Sequence, residues 1–142
     1  MVLDGNRLLL ELEGPLDNLV GFEHAPRSDI ERSALRTMES SLRATERLLA
    51  PSAAAECRAG AVKVDQPFAG EAAGTGAKEE TPRHSGARVV WEFDCKRPDR
   101  LVGVDLLLFD VFPGLKRVNV QIASPRGQAS TSLTRASRRL PL

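Results

Sequence analysis

The sequence predicts an α+β fold, a mostly antiparallel sheet of about six short strands with one amphipathic helix packed on one face. Three observations carry that reading. Ser28 to Ala50 is the one long segment with helical apolar spacing. Ala87 to Cys95 alternates cleanly, with Val89, Trp91, Phe93 and Cys95 on one face and Arg88, Glu92 and Asp94 on the other. The other strand-like runs are joined mostly by hairpin-length connections, which suits antiparallel pairing.

Bulk properties set the frame. At 142 residues the chain fits a single domain, 1–142, long enough to bury a core without a metal to hold it. Its apolar fraction of 42% and charged fraction of 27% are ordinary for a globular protein. Twenty Lys and Arg against nineteen Asp and Glu leave a net charge of +1, which argues against a nucleic-acid partner. No apolar run approaches the ~20 residues of a membrane span. No basic stretch followed by an apolar one opens the chain, so as written it lacks a signal peptide. From its residues alone it is cytoplasmic by default, or begins after a removed leader.

In chain order, Asp4-Gly5 between apolar residues is a hairpin signal, followed by Leu8, Leu10 and Leu12 in alternation with Leu9 and Glu11. Only Met1 to Leu3 precede that turn, too little for a full first arm. Gly14-Pro15 ends the strand. Leu16 to Pro26 then forms the hinge into the helix. Ser28 with Glu31 is a capping box, Asp29 suits the positive helix start, and Leu35, Met38, Leu42, Thr45 and Leu49 make the buried stripe before Pro51 stops it. Ala59 to Asp65 is a strand with Val62 and Val64 inward. Residues 66–86 hold Pro67, Pro82 and four glycines with Phe68 as the one large apolar side chain, a flexible insert outside the core. Val102 to Phe109 is a further strand, ended by Phe112-Pro113-Gly114. Val118, Val120 and Ile122 form the next, and Gln128 to Leu133 returns after the Ser124-Pro125-Arg126-Gly127 turn. Residues 135–142, with Arg135, Arg138 and Arg139, read as a frayed, solvated tail.

Catalytic chemistry finds no foothold. There is no Gly-x-Ser-x-Gly, no phosphate-binding glycine pattern and no nucleophile with a local base. Metal binding is the sharper idea, because imidazole and carboxylate suit zinc, and His24, Glu23 and His84 are the candidates near loops. The two histidines lack any i, i+4 or His-x-His spacing, so packing or helix-capping roles compete with ligation. Cys57 and Cys95 are not a Cys-x-x-Cys pair and stand as buried thiols or as one disulfide. A bridge would be worth roughly 4 kcal/mol on chain-entropy grounds and would require an oxidising compartment.

These residues resemble a family of bacterial periplasmic proteins, the ZrgA-like proteins, long catalogued as a domain of unknown function. The resemblance runs through Leu8 to Pro15, the specific run Asn18-Leu19-Val20-Gly21-Phe22-Glu23-His24-Ala25-Pro26, the helix after it, Cys57 and Trp91-Glu92-Phe93-Asp94-Cys95. It continues through Leu107-Leu108-Phe109, Phe112-Pro113-Gly114, Val118 to Gln121 and Pro125-Arg126-Gly127-Gln128. It implies a zinc-binding, non-catalytic accessory of a zinc ABC importer located in the periplasm. It also implies a Cys57–Cys95 disulfide.

The chain departs from that pattern in two places. Family members carry a histidine-rich insert where residues 66–86 stand, and here that insert holds His84 alone, which puts a high zinc capacity in doubt. Members also begin with a signal peptide and a His-containing first strand, which this sequence does not show. The strand Leu8 to Leu12 is therefore expected at an exposed sheet edge, open to homodimerisation. The alternative reading is a metal-free interaction scaffold of the cell envelope that has lost its metal tract.

Overall fold

The computed structural model describes residues 1–68 and 86–142. Most of the predicted insert, with Glu71, Glu79, Glu80 and His84, lies outside the described residues. The fold is α+β, as the pattern predicts, with two sheets sharing one core.

The larger sheet begins with β1 (Val2–Asp4) and β2 (Arg7–Pro15), joined by a two-residue turn. Gly5 adopts a φ of +57° at the first central position, where a side chain would be strained. Beyond β2 come α1 (Asp17–Val20), α2 (Asp29–Arg43) and α3 (Thr45–Leu48), then β3 (Leu49–Pro51). β4 (Cys57–Asp65) and β5 (Gly86–Cys95) pair antiparallel with a bulge between Ala59 and Val62. β6 (Gly103–Leu106) leads into α4 (Leu108–Val111), followed by the hairpin β7 (Arg117–Ser124) and β8 (Gly127–Thr134), and by β9 (Arg139–Pro141). The six-stranded sheet runs β4-β5-β2-β1-β7-β8, and the three-stranded sheet β3-β6-β9.

The strand predicted to lie at an edge is internal. Register Leu8↔Phe93, Leu10↔Trp91 and Leu12↔Val89 zips β2 to β5, and all six side chains are buried. On its other side β1 supplies a short arm, held in turn by a parallel contact with β7 in which the Ala123 N–H donates to the Met1 carbonyl at 2.9 Å. The edges of this sheet are β4 and β8.

The single predicted helix is in fact two helices and a strand. Its cap is as expected, with the Glu31 N–H donating to Ser28 Oγ at 3.2 Å, and Leu35, Met38 and Leu42 are buried. The helix breaks at Ala44, whose backbone leaves helical geometry (φ −84°, ψ 66°) and whose N–H donates to the Ser41 carbonyl; beside the break the Trp91 indole donates to the Leu42 carbonyl at 2.8 Å. Thr45 and Leu48 still face the core from α3, while Leu49 is buried from a strand. The apolar run 102–109 likewise divides into β6 and α4, since consecutive burial of Leu108 and Phe109 suits a helical turn. Periodicity does not separate strand from helix over so short an apolar stretch.

The tail is not frayed. β9 pairs with β6, Leu140 is buried, and each arginine has a partner. Arg135 Nη2 donates to the Phe109 carbonyl at 2.7 Å, Arg138 meets Asp110 at 2.6 Å, and Arg139 meets Asp105 at 3.1 Å. Charge pattern alone read these residues as solvated; Leu140 and the free side of β6 dock them. Phe68, placed outside the core from sequence, packs partly against it beside the buried Gln66, which accepts the Phe68 N–H at 2.8 Å.

Cys57 and Cys95 stand directly opposite each other across β4 and β5 and form a disulfide. The open face of the large sheet carries ion pairs between neighbouring strands, Arg7 with Glu92 and Arg88 with Glu11.

Candidate metal centre

The hinge between β2 and α2 carries His24. Leu16 is fully buried and anchors α1, whose end at Gly21 takes a φ of +92°. Gly114 seats the far side of this hinge. A Cβ added there would lie 2.8 Å from the Asn18 carbonyl oxygen, so the Phe112-Pro113-Gly114 segment and α1 meet backbone to backbone. The turn that leaves Gly21 then stacks the Phe22 ring on the His24 imidazole, with centroids 5.1 Å apart and planes 26° from parallel.

His24 Nδ1 lies 2.7 Å from the Ala25 carbonyl oxygen. A carbonyl can only accept, so this contact places a proton on Nδ1 and leaves Nε2 as the outward-facing nitrogen. A backbone carbonyl on one ring nitrogen is the arrangement that orients metal-ligating histidines. Nε2 lies 3.5 Å from Glu31 Oε2. The other carboxylate oxygen, Oε1, accepts the Arg27 N–H at 2.8 Å, so Glu31 is fixed by the helix start it helps to close.

That spacing suits two states. A protonated imidazole makes a charge pair with Glu31. A neutral one turns a lone pair towards a carboxylate, and a cation between them removes the repulsion. Two zinc ligands at bond lengths of about 2.0–2.1 Å and a tetrahedral angle stand about 3.4 Å apart, close to the separation seen. The same separation is that of an ordinary histidine–carboxylate ion pair. Among the described residues no group of three or more His, Cys, Asp or Glu side chains is gathered.

The other sequence candidates fall elsewhere. Glu23 lines a shallow cleft of about 280 Å³ with Glu13 and Arg88, at the β2–β5 end of the sheet. There the Arg88 guanidinium, held at 2.5 Å by Glu11, has its pKa raised first by that hydrogen bond and then by Glu11's charge. His84 lies outside the described residues. Glu31 was read from sequence only as a helix cap. It lies seven positions after His24, a spacing that signals nothing until the loop before α2 folds back on the helix.

A family model described as ZrgA family zinc uptake protein matches residues 1–142, the whole chain. The chain belongs to the ZrgA family. No curated protein matches it. Membership connects the chain with zinc uptake. The Cys57–Cys95 disulfide of this ZrgA family chain fits an extracytoplasmic location, where such bonds persist. None of its described helices is long and apolar enough to cross a membrane.

Proposed function

We propose that this ZrgA family protein is a periplasmic zinc-binding accessory that buffers or delivers zinc for an ABC importer, without catalysis. The observation that carries the reading is the family match over the whole chain. Zinc here is cargo. His24 heads the ligand set and Glu31 joins it by geometry; of the other donors picked out by the sequence, Glu23 lines a separate cleft and His84 lies outside the described residues. A partial site of fixed imidazole and carboxylate suits a protein that must release its metal, because fewer protein ligands hold zinc less tightly. Ligand imidazoles must be neutral to bind, so zinc affinity falls as pH drops through the imidazole range.

Titration calorimetry of the whole chain with zinc tests the reading. Binding that weakens at least tenfold in both His24→Ala and Glu31→Gln is expected; the glutamine keeps an acceptor for the Arg27 N–H and so spares the helix cap. No heat of binding at micromolar protein would sink the zinc role and leave the metal-free scaffold. Thermal shift gives the same separation, since only a metal binder gains stability with zinc.

A further inference from the structure

The two edges of the large sheet are treated differently. β4 is guarded: it carries Arg58, Lys63 and Asp65, a bulge between Ala59 and Val62, and a disulfide at its end. β8, Gly-Gln-Ala-Ser-Thr-Ser-Leu-Thr, has no charge, no proline and an unbroken register with β7 from Gly127 to Thr134. Charges, prolines and bulges are the usual devices that keep an edge from pairing with another chain. β8 has none of them.

The direction of its free backbone groups follows from one contact. Thr134 exchanges both its N–H and its C=O with Ser137, each at 3.1 Å, so its backbone points away from β7. Alternation along a strand then turns Gln128, Ser130 and Ser132 outward as well. None of the three has a backbone hydrogen-bond partner among the described residues. The open ladder is thus three residues long, closed by Ser137 at one end and by the Pro125-Arg126 turn at the other.

We propose that β8 is a homodimer edge, pairing antiparallel with β8 of a second copy of this chain about a two-fold axis at Ser130. That register sets Ser130 opposite Ser130 and Gln128 opposite Ser132 on each side, and each pair exchanges its N–H and C=O. All three open residues are satisfied, and Thr134 is not asked to break its bonds to Ser137. Ala129 falls opposite Thr131, so no bulky or like-charged pair is forced together. A second copy fits better than a charged partner, because the strand offers nothing for a charge to meet. The side chains add little steering: Ser132 Oγ is already 2.6 Å from Asn119 Oδ1 on β7. Strand addition over so few residues buries less than the roughly 1,200–2,000 Å² of a stable interface, so the dimer is a reversible one.

Sedimentation of the full chain from about 10 to about 300 µM, in chelator to remove metal bridges, reads the equilibrium where such small interfaces associate. A concentration-dependent dimer is expected. Ser130→Pro removes the N–H at the axis, at an edge position whose N–H faces solvent and where proline is tolerated. Ser130→Lys sets two like charges face to face. Each is expected to weaken the dimer at least tenfold with an unchanged far-ultraviolet spectrum, and the lysine variant stands alone should the proline one misfold. A monomer throughout the range, or a dimer equally strong in Ser130→Lys, overturns the proposal.

Discussion

The indole nitrogen of Trp91, in the middle of β5, donates to the Leu42 carbonyl at 2.8 Å, one residue before the end of α2. Leu42 is fully buried, so its carbonyl has no water to turn to. The bond ties the last turn of α2 to the middle of the large sheet. Trp91→Phe leaves that acceptor orphaned and is expected to cost about 1–3 kcal/mol beyond any lost packing. Urea denaturation followed by circular dichroism measures this, and Trp91→Phe within about 0.5 kcal/mol of the parent would remove the indole's role.

Oxidised protein is expected to show no free thiol, since Cys57 and Cys95 are bonded to each other across adjacent strands. Their separation of 38 residues makes the bond worth roughly 4 kcal/mol on the chain-entropy model. Thiol counting under denaturing conditions checks the first point, and denaturation with and without reductant checks the second.

The docked tail can be tested at Leu140, which is 1% exposed and pairs with Val104. Leu140→Ala is expected to destabilise the fold by about 2–5 kcal/mol, as for other buried leucines. A solvated tail would leave stability within about 0.5 kcal/mol.

Gly114 meets Asn18 so closely that a methyl group must push the hinge or the turn aside. Gly114→Ala is expected to cost about 1–3 kcal/mol and to disturb the loop that positions His24. Chemical-shift changes at Asn18 to His24, read by nuclear magnetic resonance, distinguish this from a purely local effect.

The Arg32 side chain hydrogen-bonds Asp29 at 2.5 Å and, with its charge and that of Arg36, holds the Asp29 carboxyl below its usual 3.8. A lowered folded value means the contact stabilises the helix start above the ordinary carboxylate range and is lost as pH falls through the lowered value. Asp29 is expected to titrate with a midpoint under 3.8, and Arg32→Ala to bring it back up. The pair is exposed, so the effect on global stability is small.

The local rules written along the chain carried far. Apolar alternation named the faces of β2 and β5, Ser28 and Glu31 named the start of α2, and Asp4-Gly5 and Ser124 to Gly127 named two hairpins, because each signal is complete within a few residues. The resemblance of the Asn18-to-Pro26 run identified the family ahead of any structure. What the sequence by itself did not reach is everything that depended on a distant partner. Trp91 bonding to the Leu42 carbonyl, Leu140 docking on β6, β1 meeting β7 and Glu31 turning to His24 each join residues that no local sequence signal connects. The physical reason is common to them all. A buried carbonyl, a free strand side or an outward-facing imidazole nitrogen takes whichever partner the closed core brings within reach, and only the tertiary structure decides which one that is.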